Sequence, residues 1–296
     1  MSEKPDISIC IPTCNGGKFI AETIESVLNQ KHHNFELIVS DDGSTDETLE
    51  IVKSFTDPRI TRVDLLSRVG AVANWNNSIR HARADLVKLL CQDDLLYPNC
   101  IESECEVMQK PENQDVSFCF SLRDFVGPRG RKIVGRRVSK SDGYKYSQQE
   151  LLRKIVRSGG NPIGEPMAIT FRKQTQQLCG DFQGDYVIDL NMWSRLVEHG
   201  PAVFVGKRLS AFRVSKTSWT TSLAKSQATT VRNLSKKLRA EKPSSVRRAD
   251  LVVGYLVGLV RAPIRRLSSS LILFGDKFFG SAGQPRTNNH DQHADQ

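Results

Sequence analysis

Two pairs of adjacent acids, Asp41 with Asp42 and Asp93 with Asp94, each follow a short apolar run, in the segments VSDDGS and CQDD. Carboxylates gathered at one place repel one another, and their pKa values rise unless donors or a cation answer them. An all-oxygen cluster of this kind is the ligand type preferred by Mg²⁺ and Mn²⁺. A further acid, Asp189, stands directly before a helical pattern of Leu190, Trp193 and Val197. A positioned carboxylate is the usual group to take a proton from an attacking hydroxyl, and Asp185, four residues earlier, is the reserve candidate. Plainer roles compete with these. Asp42 and Ser44 serve equally well as turn and N-cap residues, and Asp189 as a helix cap, although Met192 stands where a capping box would need Glu or Gln.

The elements around these residues alternate. Residues 7–11 read as a strand, Ile20, Ile24, Val27 and Leu28 repeat at helical spacing, and 35–39 form a second apolar run. Ser44 with Glu47 predicts a capping box opening a helix through residue 55. Residues 60–65 read as strand, 72–81 as helix, 86–91 as strand, and Ile101, Cys105 and Met108 mark a helix before the strand 116–120. The order βαβα predicts a doubly wound, parallel sheet covered on both faces. Such sheets bind ligands beyond the carboxyl ends of their strands, where both acidic pairs fall. The second half is less regular: a loop or hairpin over 127–142, a helix over 148–156, a strand over 167–171, and one or two strands within 203–214.

With 296 residues, 39% hydrophobic and 25% charged, the chain can bury a sizeable core, which excludes a disordered chain. Seven cysteines at irregular spacing with no signal-peptide pattern predict reduced thiols and a cytoplasmic location rather than a disulfide scaffold. The net charge of +9 is concentrated between residues 231 and 266, which hold ten Lys or Arg against two acids. That tail is expected to meet an anionic membrane surface, placing the protein peripherally on the inner face of the plasma membrane. Its apolar run, 251–260, is far short of the roughly 18 residues that span a bilayer. Nucleic acid is disfavoured, because Tyr255 is the one aromatic residue in the basic segment. Gly254 and Gly258 predict close helix packing. There is no GxGxxG or P-loop motif.

The succession ISICIPTCN, an amphipathic helix, FELIVSDDGSTDET and DLVKLLCQDDLLYP resembles the family 2 nucleotide-sugar glycosyltransferases with the GT-A fold. The resemblance runs from residue 7 to residue 218 and includes GEPMAITF and DYVIDLNMWSRL. It implies a GT-A-like α/β domain over 5–225, with a mostly parallel sheet and helices on both faces. A basic, partly apolar helical tail over 226–285 and a disordered end over 286–296 would follow. It further implies an enzyme that moves a hexose-type sugar, with inversion, from a nucleoside diphosphate donor to a hydroxyl acceptor in cell-envelope glycan or glycolipid assembly. By this resemblance Pro12, Thr13, Asn15 and Asp41 contact the nucleoside, Asp42 assists at the ribose and Asp93 lies near it. Asp94 then holds a divalent cation, Mn²⁺ or Mg²⁺, and Asp189 is the catalytic base. The alternative is a degenerate nucleotide-sugar-binding protein or scaffold, which the joint presence of Asp41, Asp93, Asp94 and Asp189 opposes. Two positions depart from the family pattern: Gln92 replaces the first acid of the DXD element, and Ser215 stands where many members have His, leaving Arg213 as the expected phosphate partner.

Overall fold

The computed structural model describes residues 4–135, 140–184, 187–215 and 227–261. Asp185, Arg265, Arg266 and the polar end over 286–296 lie outside them. The first half alternates as expected: β1 (Ile7–Thr13), α1 (Ile20–Leu28), β2 (Phe35–Asp41), α2 (Thr48–Ser54), β3 (Ile60–Asp64), α3 (Ala71–Arg80), β4 (Leu86–Leu89), β5 (Leu95–Leu96) and α4 (Cys100–Gln109). There follow β6 (Phe118–Val126), β7 (Lys132–Gly135), β8 (Lys145–Tyr146), α5 (Gln148–Ser158), β9 (Ile169–Arg172), α6 (Lys173–Cys179), α7 (Ile188–Leu196), β10 (Ala202–Arg213) and α8 (Gln227–Glu241). A further helix, α9, covers 248–261.

Among the described residues the strands form one sheet in the order β3-β2-β1-β4-β9-β6-β10-β5. The long ladders, β1 with β2 and β4, β2 with β3, and β6 with β10, are parallel. The short ones, including β9 against β4 and β6, are antiparallel. Strand β1 is buried along its whole length, as a central parallel strand must be. Its Ile7, Ile9 and Ile11 enter one apolar cluster with α1 and α4, while Cys10 joins the cluster on the other face with Leu151, Trp193 and Leu234. Residues 202–213 form a single strand with irregular register near Arg208.

One expected capping box is replaced by another arrangement. Helix α2 begins at Thr48, and Ser44 Oγ instead donates to Asp41 Oδ1 at 2.5 Å and accepts from the Asn15 N–H at 2.8 Å. The site takes the serine because the β2–α2 loop lies against the end of β1. The capping box that does form is Ser147 with Glu150 at the start of α5.

At the sheet centre Lys88 and Glu104 are fully buried, with Lys88 Nζ 2.7 Å from Glu104 Oε2. The ammonium also donates to the Met167 and Ile169 carbonyls at 2.9 and 3.1 Å. Glu104 accepts from the Ser121 and Thr170 hydroxyls. A charge pair this deep is tolerable only when its donors and lone pairs find partners. Here it joins β4, α4, β6 and the start of β9, fixing the segment just after Glu165.

The basic tail is not a detached appendage at its start. Val231, Leu234 and Leu238 of α8 are buried, as is Val246 after it, and Leu234, Leu238 and Val246 belong to the Trp193 cluster.

Candidate functional site

The carboxyl ends of β1, β2 and β4 build one wall of a crevice. Thr13 and Asp41 are register partners at the ends of β1 and β2. Asp41 is buried and also accepts the Ser44 N–H at 2.9 Å. Asn15, in the left-handed region at φ 51°, uses Oδ1 to accept the Thr45 N–H at 2.9 Å. Pro12 and Thr13 are buried; Asn15 is exposed. Asp42 has both oxygens on backbone donors, Val69 N at 2.6 Å and Gly70 N at 2.9 Å, so it holds the approach to α3.

Gln92 explains the departure at the DXD element. Its Oε1 accepts from the Thr13 hydroxyl at 2.6 Å and the Cys14 N–H at 2.8 Å, while Nε2 donates to the Cys14 carbonyl at 3.2 Å. A carboxylate can accept but cannot donate, so only the amide ties β4 to both polar groups of Cys14.

Next in the chain, Asp93 is half-buried and Asp94 has no exposed surface. Burial pushes the Asp93 carboxyl up to about 6, against the pull of a backbone hydrogen bond and the Arg213 charge. Asp94 rises well above the usual carboxylate range, by burial first and then by the charge of Asp93. Its Oδ1 accepts the Arg213 N–H at 3.0 Å, and its buried Oδ2 has no hydrogen-bond partner.

Arg213 is buried rather than extended toward a ligand. Its Nε donates to the Asp93 carbonyl at 2.8 Å, one terminal nitrogen to Pro128 O at 2.9 Å and the other to Glu22 Oε2 at 2.6 Å. The guanidinium also lies over the Phe19 ring, 4.6 Å from its centroid. These bonds fix the acidic turn from within the protein. Ser215, where a His was the family expectation, is buried.

The opposite wall comes from the turn between α5 and β9. Asn161 Oδ1 accepts the Ile163 and Gly164 N–H groups at 3.1 and 3.0 Å, which orients its amide. Nδ2 then donates to Asp189 Oδ2 at 3.0 Å and to Gly164 O at 2.9 Å. Gly164 has φ 152°, and a Cβ there would stand 2.9 Å from Ala168 Cβ. Glu165 pairs with Arg123, whose terminal nitrogen reaches Ile163 O at 3.3 Å.

Asp189 lies in the first turn of α7, whose N-cap is Val187, so the simple N-cap role does not apply. Burial pushes its carboxyl up to about 7, with the Glu165 charge adding to the rise. The two walls meet. Burial and then the charges of Asp94, Asp93, Asp189 and Glu165 all raise the Cys91 thiol, so the four carboxylates lie within electrostatic reach of it. Glu165, Asn161 and Arg123 carry no distinctive sequence signal except that Pro162, Gly164 and Pro166 mark a rigid turn around two of them.

Among the described residues no group of three or more His, Cys, Asp and Glu side chains could hold a metal ion. The family model for glycosyl transferase family 2 matches residues 8–173, which contain the β1, β2 and β4 ends. The chain belongs to glycosyl transferase family 2. This family 2 chain is 29% identical over 226 residues to the uncharacterized protein MT1568 of Mycobacterium tuberculosis, covering 74% of this chain and 70% of that protein. It is 31% identical over 147 residues to the Escherichia coli UDP-Glc:alpha-D-GlcNAc-diphosphoundecaprenol beta-1,3-glucosyltransferase WfgD, covering 50% of this chain and 55% of WfgD. The fold is GT-A. The chain superposes on the mannosyltransferase PcManGT of Pyrobaculum calidifontis, in complex with GDP-Man and Mn²⁺, with a TM-score of 0.62 and 17% identity over 96% of this chain and 78% of that one.

Proposed function

We propose that this glycosyltransferase moves a sugar from a nucleoside diphosphate donor to a hydroxyl of a glycan or lipid-linked acceptor, with inversion. The observation that carries the reading is the Asp93 and Asp94 pair with one buried Asp94 oxygen unpartnered, within electrostatic reach of Glu165 and of Asp189, which Asn161 orients. The diphosphoundecaprenol named in the WfgD activity supports a lipid-linked acceptor. The GDP-Man bound by PcManGT supports the nucleoside diphosphate donor.

The acid pair fits a divalent cation. Mg²⁺ and Mn²⁺ are commonly held by one or two carboxylates, with substrate phosphates and water completing the set. Asp94 would hold the ion through the unpartnered Oδ2, with Asp93 beside it. A bound Mn²⁺ or Mg²⁺ would neutralise the charge that develops on the departing nucleoside diphosphate.

The chain's own residues do the rest. Pro12, Thr13, Asn15 and Asp41 line the nucleoside end, and Asp42 supports it by holding Val69 and Gly70. Arg213 and Gln92 fix the turn that carries Asp93 and Asp94. Asp189, oriented by Asn161, accepts the proton of the acceptor hydroxyl while that oxygen bonds to the anomeric carbon. The bond to the diphosphate breaks as it forms, its electron pair leaving with the nucleotide. A carboxyl with a pKa of about 7 is well matched to taking a proton near neutral pH.

The test is incubation with a panel of nucleotide sugars and glycan acceptors in Mn²⁺ or Mg²⁺, following nucleoside diphosphate release and the anomeric configuration of the product. Release with an inverted linkage is expected. Donor binding without turnover on any acceptor would support a scaffold instead.

A further inference from the structure

We infer that the outward face of α9 is a docking surface for an anionic lipid bilayer. Val252, Tyr255, Leu256, Leu259 and Val260 are all exposed, between 47% and 61% of their surface. Their spacing of i, i+3, i+4, i+7 and i+8 places them on one stripe of a helix. Scattered exposed apolar residues need no explanation, but a continuous stripe marks an interaction surface.

The inward face of the same helix is already committed. A Cβ on Gly254 would stand 2.0 Å from Val156 O, and one on Gly159 would stand 2.7 Å from Gly254 O and Gly258 N. The two glycines of α9 therefore sit against the C-terminal end of α5, as the GxxxG spacing predicts. Leu251 packs toward the Trp193 cluster, and Arg261 donates to Ser158 O at 2.9 Å. Docking through glycines fixes which face points outward.

Charge identifies the occupant. Arg248 stands four residues before Val252 and continues the stripe, and Arg232 of α8 lies over the Tyr255 ring, 4.7 Å from its centroid. Arg232, Lys236, Arg247 and Arg248 are exposed. The nearby Asp250 is buried, within 3.4 Å of Arg153 and Arg157 of α5, and caps α9 by accepting the Arg247 N–H. Arg232 and Arg248 therefore border the stripe with positive charge. A second copy of this chain would bring the same cations face to face, which costs energy, whereas anionic headgroups complement them. An amphipathic helix with an apolar stripe and a basic rim lies in the plane of such an interface.

Sedimentation of the full chain with phosphatidylserine-rich vesicles tests this, against phosphatidylcholine vesicles as control. The full chain is expected to prefer the anionic vesicles and to lose binding as salt is raised. Leu256→Glu with Leu259→Glu should weaken binding by about tenfold or more for each leucine. Arg232→Gln and Arg248→Gln should each weaken it about fivefold. Both leucines are exposed, so the melting temperature should not change. Equal sedimentation of the double-Glu variant, or equal binding to both vesicle types, would overturn the proposal. So would a concentration-dependent dimer that the double-Glu variant abolishes without loss of vesicle binding, since that result assigns the face to a second copy.

Discussion

The backbone N–H of Arg213 donates to Asp94 Oδ1 at 3.0 Å, while Asp94 Oδ2, equally buried, has no partner. One oxygen of the carboxylate is thus anchored and the other is without a partner among the described residues. Anchoring comes from β10, far along the chain, whose guanidinium also clamps the Asp93 carbonyl. In the proposed mechanism the free oxygen holds the divalent cation. Asp94→Ala is therefore expected to remove most transfer activity and to abolish the Mn²⁺ or Mg²⁺ dependence of donor binding, measured by calorimetry with and without metal. Full activity of the wild type in excess chelator would contradict this.

The same carboxylate should carry a pH signature in the ligand-free protein. Its native pKa is raised, so the folded state holds the proton more tightly than the unfolded chain. Stability is then greatest when the group is protonated and falls as pH rises from about 4 through the native pKa. Asp94→Asn keeps an acceptor for the Arg213 N–H and removes the charge. It should raise the melting temperature at about pH 8, by roughly 2–4 °C for each kcal/mol relieved, and leave it unchanged below about pH 4. A scan showing no gain at the higher pH would contradict the charge assignment.

Gln92 offers a separate check on the nucleoside wall. Gln92→Glu keeps the acceptor but loses the donor to Cys14 O and sets a carboxylate against that carbonyl. A loss of about 1–3 kcal/mol in urea unfolding is expected. An unchanged midpoint would show that the tie between β4 and Cys14 does not matter.

Lys88 and Glu104 can be separated in the same assay. Lys88→Met leaves Glu104 buried without its cation, and about 3–5 kcal/mol of stability should be lost. Adding Glu104→Leu should recover part of that loss. A single variant as stable as the wild type would remove the pair from the framework that holds the segment after Glu165.

Much of the sheet was legible because its central strands are continuous apolar runs bounded by polar turns, as in ISICIP and FELIVS. The acidic ends of β2 and β4 could be placed beside one crevice for the same reason. The antiparallel insertion of β9 between β4 and β6 was not legible, since pairing partners distant in sequence leave no local pattern. Nor was the fate of Ser44, whose local spacing with Glu47 suits a capping box but whose hydroxyl bonds across the loop to Asp41 and Asn15. Asn161 and Glu165 gain their positions from a turn that only the tertiary structure brings to Asp189. The enclosure of Arg213 by Glu22, Phe19 and two carbonyls was not legible either, because they come from segments far from it in sequence.

The central claim is that Asp189 takes the acceptor proton while the Asp93 and Asp94 side holds the donor. The most direct measurement is the transfer rate of Asp189→Asn against wild type, across a pH series, with donor affinity measured on the same samples. Asparagine still accepts the Asn161 donor through its oxygen, so folding and donor affinity should be unchanged. Turnover should fall by roughly 10² to 10⁴. In the wild type, kcat/KM should rise with pH and level off above about 7, where Asp189 is ionised, and the variant should lose that limb. Near-normal transfer by Asp189→Asn, with the limb intact, would contradict the account.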